Sequence, residues 1–159
     1  MNTIAGISTF IRIGYQIYKG KESPYNAAVA YHLENAVTGI YPNLLIDFEE
    51  VVVSKGDLLP VYYGEVSSAV DHEVKFEWLN NAPVGSVDLT DKATVMVYNP
   101  DKELFVALSG AAARSALTYT LGLPADFVGD TVHAYMYFVS ADGKRSSDSV
   151  YLGVVTVVA

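Results

Sequence analysis

Three histidines, His32, His72 and His133, are the residues best suited to acid–base chemistry in this chain. A serine hydrolase needs a histidine held between a serine and a carboxylate, and its sequence context is often a Gly-x-Ser-x-Gly turn. The chain has no such turn. His32 falls within a predicted helix, His72 precedes a predicted strand, and His133 alternates within another. We therefore interpret all three as structural or solvent-facing, and an unrecognised hydrolase as the remotest functional alternative.

The other groups that do chemistry form no recognisable site. Zinc requires about four donors, and three dispersed histidines without any cysteine give no ligand spacing. Glu49 and Glu50 would face opposite sides of a strand, which is unsuitable for a glycosidase pair. Four loop aspartates offer oxygens to calcium but match no EF-hand loop, and we favour turn-forming roles for them: Asp88, Asp91, Asp126 and Asp130. We predict no catalytic residue, metal or cofactor.

Tyrosine is the remaining candidate for binding, since the chain has 12 tyrosines. The clusters Tyr62-Tyr63 and Tyr135/Tyr137 would suit sugar stacking or a protein interface, because tyrosine joins apolar area to a hydroxyl. Tyrosines are also ordinary residues of half-buried strands, and we favour that interpretation. Trp78, which alternates with Phe76, is predicted to lie in the core.

Composition narrows the class of protein. Hydrophobic residues make up 51% of the chain and charged residues 18%, which indicates a globular protein. The formal net charge is −8 and the ten basic residues are scattered, so nucleic-acid binding is not expected. We see no signal peptide and no apolar run long enough to span a membrane. The chain starts directly in a predicted helix, which suggests an upstream truncation, and its localisation stays unknown.

The periodicity divides the chain at residue 42. Apolar residues at helical spacing predict one α-helix over residues 3–18. Ser23-Pro24 is typical of a second helix start, and Thr38-Gly39 of its end. We therefore predict a helical N-terminal segment, 1–42, that packs on the rest of the protein or on a partner, and a β-sandwich domain, 43–159.

From residue 43 onward the pattern favours strands separated by turns. Beyond a strand near residues 44–53, the predicted strands are 61–66, 74–79, 92–98, 104–108, 116–121, 131–139 and 150–158. Asp142-Gly143 predicts the turn of a terminal hairpin, with Asp142 to Ser149 as an exposed loop. The spacing predicts a mainly β fold, an immunoglobulin- or fibronectin-like antiparallel sandwich preceded by the two helices.

Two resemblances support this fold. The stretches VKFEWLNN and KATVMVYNPDKE, followed by the terminal hairpin, are similar to the strand order of fibronectin type III modules. Over nearly the whole chain, the sequence resembles an uncharacterised domain family of Bacteroidota in the segments YNAAVAYHLENAVTGIYPN, IDFEEVVVSKGDL, TDKATVMVYNP and FVSADGKRSSDSVYLG. Members of that family usually carry a Gly-rich segment ahead of the first helix, which this sequence lacks. The resemblance implies no activity or ligand.

These observations favour a non-catalytic structural or protein-interaction module, as part of a surface or phage-derived assembly. A carbohydrate-binding module is the alternative. The expected contact loops contain Asn80, Asn81, Asp142, Lys144 and Arg145. If the last strand is an exposed sheet edge, it would pair with a protein partner or with a second copy of the chain, through Val150, Leu152, Val154 and Val157. We favour an internal position for that strand.

Overall fold

The computed structural model of this protein describes residues 28, 31–32, 35–40 and 43–159. Nine β-strands lie in these residues: β1 Val37–Ile40, β2 Asn43–Ile46, β3 Tyr62–Ser67, β4 Glu73–Leu79, β5 Lys92–Asn99, β6 Leu104–Ala113, β7 Thr118–Gly122, β8 Thr131–Val139 and β9 Val150–Thr156. Four short 3₁₀ turns connect some of them: Phe48–Glu50, Val87–Thr90, Arg114–Ala116 and Ala125–Phe127.

Two antiparallel sheets form the body of the protein. One has the strand order β3-β4-β7 and the other β6-β5-β8-β9, while β1 and β2 pair as a separate hairpin. The chain crosses between the sheets after β4, β6 and β7, which is the Greek-key connectivity of a β-sandwich. The predicted mainly β, antiparallel class is confirmed, and so is the terminal β8–β9 hairpin.

The space between the sheets is filled by the inward faces of alternating strands. In β4 the inward residues Val74, Phe76 and Trp78 are all buried, as their period of two predicted. Facing them across the core are Val95 and Val97 of β5 and a set from β8: Val132, Ala134, Met136 and Phe138. Trp78 is therefore a core aromatic, as expected.

The outer face of the four-stranded sheet is buried as well. A second apolar cluster contains Met96, Tyr98, Tyr135 and Tyr137 together with Ala28, Ala36, Val51 and Val53. The N-terminal residues thus cover this face, which explains why nearly every residue of β5 and β8 is buried on both sides. Tyr135 and Tyr137 are each only 1% exposed, so neither can act as a sugar platform.

The predicted N-terminal helices lie largely outside the described residues. The first, 3–18, does so entirely. Of the second, residues 28, 31, 32 and 35 are described and are helical, with the Ala36 amide donating to the His32 carbonyl over 2.9 Å. The two-helix expectation therefore stays a prediction. The second helix cannot extend to Thr38-Gly39, because β1 occupies Val37–Ile40 and pairs with β2 across the predicted boundary at residue 42.

Buried His32 joins this N-terminal layer to the sandwich. The Val52 amide donates to its Nε2 over 2.8 Å, which leaves the proton on Nδ1, 2.6 Å from the Ala28 carbonyl oxygen. Burial lowers the pKa of His32, and nearby Lys55 acts in the same direction. The Tyr31 ring packs edge-on against the imidazole. The neutral imidazole is therefore the form that fits the fold.

We expect acid to weaken this attachment. Because the folded pKa lies below the unfolded value of about 6.5, the unfolded chain takes up the proton first, and stability falls as the pH drops below that value. The added slope is at most about 1.4 kcal/mol per pH unit, the value for one proton. Urea unfolding of wild type and His32→Gln between pH 7.5 and 5 measures it. Because burial lowers the pKa of His133 too, His133→Gln is the control. Equal slopes in wild type and His32→Gln would contradict the assignment.

The loop of the terminal hairpin is more buried than predicted. Ser146 and Ser147 are fully buried, and residues 53–58 lie along them. Ser54 Oγ donates to the Ser147 carbonyl over 2.6 Å, and the Leu58 amide donates to the Ser146 carbonyl over 3.1 Å. The expectation of an exposed loop from Asp142 to Ser149 is therefore wrong at Ser146 and Ser147, because a distant segment satisfies their backbone.

The last strand lies at a sheet edge. Within the described part of the chain, β9 pairs with β8 alone, so the favoured internal position is wrong. Gly153, at φ 104°, lies in a β-bulge opposite Ala134 and Tyr135. On the other sheet, β3 lies close to β9, since a Cβ on Gly64 would meet the Leu152 side chain at 2.5 Å. A bulge and a flanking strand are common protections of an edge.

Candidate functional site

The three histidines occupy separate places, each bound to its own neighbours. His32 lies in the N-terminal layer. The Nδ1 atom of His72 is 3.0 Å from the Leu123 carbonyl oxygen. His133 stacks on Phe48 with ring centroids 4.3 Å apart and hydrogen-bonds to the Tyr151 hydroxyl over 2.8 Å. No described contact joins any of them to both a serine and a carboxylate, so the structure gives the hydrolase alternative no assembled site.

The acidic residues also stay apart. Among the described residues no three His, Cys, Asp or Glu side chains come together in a group that would hold a metal ion. Asp130 instead accepts from Asn99 and Lys102 in the β5–β6 turn region, and this lowers its pKa. No helix in the described part of the chain reaches the length and hydropathy that a membrane crossing requires.

The predicted contact loops meet at one end of the sandwich. Asn81 is fixed there by buried Arg114, whose Nη1 donates to the Asn81 side-chain oxygen over 3.1 Å. Arg114 Nη2 also donates to Asp91 over 2.9 Å and to the Leu59 carbonyl over 2.7 Å. Burial raises the pKa of Asp91, and the guanidinium opposes that shift. Asn80 accepts from the Ala82 amide over 3.0 Å. Both asparagines therefore have structural roles.

Two of the other contact-loop residues, Asp142 and Arg145, border a cleft of about 300 Å³ between the β4–β5 and β8–β9 loops. Asp142 accepts from Ser140 over 2.6 Å and from the Lys144 amide over 3.0 Å, which lowers its pKa. Arg145 pairs with Asp57 over 3.2 Å, with both side chains more than half exposed. The charges that border the cleft are largely paired within the chain.

A second concavity, which the sequence interpretation missed, lies on the outer face of the three-stranded sheet. This groove has a volume of about 500 Å³ and is lined by Tyr63, Glu65, Glu77, Trp78, Leu79, Leu117 and Thr118. Apolar side chains at this end of the sheet are unusually exposed: Tyr62 46%, Tyr63 71%, Leu79 54% and Leu117 38%. We call these four residues the apolar patch. The Tyr62 and Tyr63 rings meet edge to face at 4.6 Å.

Irregular backbone shapes the groove on both sides. In β3 a bulge between Tyr62 and Glu65 places Tyr63 at φ 47°. On the opposite side, Leu117 ends the 3₁₀ turn Arg114–Ala116 at φ 65°. Residues other than glycine rarely adopt this left-handed backbone conformation. Those that do are concentrated where function requires a particular orientation. Both walls of the groove therefore hold a large apolar side chain in an uncommon conformation.

The floor of the groove carries paired carboxylates. Glu65 and Glu77 are direct cross-strand partners in the β3–β4 ladder. Like charges in this arrangement disfavour the pairing. Lys75 contacts Glu77 over 2.9 Å, but both side chains are about half exposed, so this pair contributes little. Glu65 makes no ion pair within the described part of the chain.

Only part of this groove could be recognised from the sequence. Tyr62-Tyr63 stood out as an aromatic pair, whereas the register that places Glu65 opposite Glu77 follows from the bulge. The predicted edge residues of the last strand differ in exposure, and Val150 and Leu152 are only partly exposed. Val154 is 57% exposed, but Val157 is only 1% exposed and belongs to the core.

Comparisons with known proteins found similar solved structures and one sequence family. The fn3 domain of the human collagen alpha-1(XX) chain matches with 14% sequence identity over 64% of this chain and 87% of that chain, at a TM-score of 0.46. No curated protein matches the chain. One protein-family model, described as a family of unknown function, matches residues 1–153.

Proposed function

Since the chain belongs to this family of unknown function, DUF6266, we propose from its own geometry that it is a non-catalytic protein-interaction module. The observation that carries the proposal is the apolar patch of Tyr62, Tyr63, Leu79 and Leu117 beside an open groove. The rest of this sheet face is polar. A clustered apolar patch with a polar rim is typical of a protein contact surface, and tyrosine is enriched at the centre of such surfaces.

The wider role follows the same reasoning. A module of this kind, with loops and edges free for contact, would serve in a surface or phage-derived assembly, and the sequence resemblance suggests Bacteroidota as its origin. The loop end with Lys144 and Arg145, and the β9 edge at Val154, are secondary contact surfaces in this proposal. The exposed apolar area of the groove supports it as the main contact surface. The loop end is secondary because most of its charges are already paired within the chain.

Carbohydrate binding is the second candidate, and one observation favours it. Tyr63 is 71% exposed beside two carboxylates in an open groove. An aromatic face that stacks on a sugar ring, with carboxylates that accept from its hydroxyls, is a workable binding site. A glycan array tests this candidate. If a neutral glycan bound to the wild type but not to Tyr63→Asn, the ligand of the groove would be a sugar and not a protein.

We expect the double variant Tyr63→Asn/Leu117→Asn to lose its protein partner. Asparagine tolerates the left-handed conformation of both positions, so the fold should be retained while the apolar area disappears. The recovery of specific partners should fall at least tenfold, roughly the effect of losing one hot-spot side chain. Quantitative affinity purification from the source organism, with the full chain as bait, measures this.

The matched control is Leu104→Asn, which removes a leucine of similar exposure, 52%, at the start of β6 on the other sheet. Circular dichroism and thermal unfolding confirm that both variants fold. The proposal predicts that the control retains the partners that the double variant loses. Equal recovery by wild type and both variants would contradict the patch as a contact surface.

A further inference from the structure

We infer that the groove binds a lysine or arginine side chain of the protein partner. This inference rests on the proposed function and names the chemistry of the residue that enters the site. The groove combines three features that a long cationic side chain needs: an aromatic wall at Tyr63, an apolar wall at Leu117, and carboxylates at Glu65 and Glu77.

The carboxylates supply the charge complementarity. Two glutamates directly opposite each other on neighbouring strands repel, so the sheet carries unfavourable charge that a cation between them would relieve. Lys75 compensates only Glu77, from a half-exposed position. With the chain at a formal net charge of −8, the surrounding field also favours a basic partner.

The apolar walls suit the rest of such a side chain. Lysine and arginine place their methylene stems along apolar surface while the charged group stays near water or an anion. Tyr63 is largely exposed, and its ring is available for a cation–π contact. It contacts the Tyr62 ring edge to face and still stays largely exposed. The stem would lie between Tyr63 and Leu117, with its charge near Glu65.

A second copy of this chain is a poor occupant. A two-fold symmetric contact through the patch would bring two Glu65/Glu77 pairs into one interface, since the same surface is used by both copies. Like charges brought together at an interface weaken the contact and suppress wrong partners. A neutral oligosaccharide would use the aromatic ring but leave the carboxylate repulsion in place. The basic side chain alone uses all three features.

The test uses the full chain and defined pentapeptides followed by NMR titration. The probes are Ac-Thr-Val-Lys-Val-Thr-amide and the same peptide with arginine or norleucine at its centre, because norleucine keeps the stem and removes the charge. We expect the amide signals of Tyr63, Glu65, Glu77 and Leu117 to move with the basic peptides. The norleucine peptide should bind about tenfold more weakly.

The variants locate the effect. Glu65→Gln/Glu77→Gln should remove the preference for lysine over norleucine. Glu73→Gln, on the same strand and the same sheet face as Glu77, should keep it. Equal binding of lysine and norleucine peptides, no binding of any peptide, or groove binding of maltohexaose in their place would overturn the inference. The peptide test could fail while Tyr63→Asn/Leu117→Asn still loses its protein partner. That combination would refute the basic side chain as the occupant and leave the proposed interaction module supported.

Discussion

Replacement of Arg114 by methionine is expected to destabilise the protein by about 3–5 kcal/mol, the usual cost of leaving one half of a buried ion pair uncompensated. Arg114 is fully buried, and its salt bridge to Asp91 is nearly so, with side chains 1% and 5% exposed. The variant would leave the Asp91 carboxylate buried without its cation.

More than the ion pair depends on this side chain. Its guanidinium also donates to Asn81 and to the Leu59 and Asp88 carbonyls, and its carbon lies 3.9 Å from the Phe138 ring centroid. Arg114 thereby joins the segment before β3, the β4–β5 loop and the β6–β7 connection. Lysine has no planar fork, so Arg114→Lys should restore only part of the stability.

Urea unfolding at neutral pH measures the effect, with Arg145→Met as the matched control. Arg145 also pairs with an aspartate, but both partners are exposed, so the control should change stability by less than about 1 kcal/mol. A double variant Arg114→Met/Asp91→Leu should be more stable than Arg114→Met, because no buried charge remains. Equal small changes for Arg114→Met and Arg145→Met would refute the buried network.

Replacement of Gly56 by alanine is expected to cost about 3 kcal/mol, at the upper end for an overpacked site, because backbone must move to admit the methyl group. A Cβ built on Gly56 would lie 1.8 Å from the Ser146 carbonyl oxygen and 2.4 Å from its carbon. The Ser146 carbonyl also accepts from the Leu58 amide. Relief of the clash would therefore separate residues 53–58 from the terminal hairpin loop.

Gly122→Ala provides the control for Gly56→Ala. Gly122 has an ordinary φ and no atom within 4 Å of its built Cβ, so the substitution adds a methyl group in open space. Its melting temperature should stay near that of wild type, while that of Gly56→Ala falls clearly. If both glycine variants had the same melting temperature, the close packing of residues 53–58 on the hairpin loop would be refuted.

Local sequence patterns predicted most of the strands. The alternation in Thr131–Val139 gave the bounds of β8 without error, and Trp78 was placed in the core from its spacing to Phe76. These successes share a cause: each inward face repeats every second residue and needs no knowledge of the partner strand. The helical period put the end of the second predicted helix at Thr38-Gly39, which is wrong because β1 pairs with β2 there.

What the sequence could not show depends on long-range partners. Arg114 follows three alanines and has no acidic residue beside it in the sequence, yet it bonds to side chains 23 and 33 residues earlier. Tyr135 and Tyr137 looked half-exposed because the layer that covers them comes from the start of the chain. The groove depends on a bulge in β3 and on Leu117, 54 residues after Tyr63 in the numbering. None of these relations has a local period.

Site-specific photo-crosslinking tests the central claim most directly, that the apolar patch is the contact surface of an interaction module. A benzophenone amino acid is placed at Tyr63 in one chain and at Leu104 in another, and both are irradiated in cells of the source organism. The account predicts one specific crosslinked protein partner from position 63, absent from position 104. Crosslinks that are the same from both positions, or none from position 63, would contradict it.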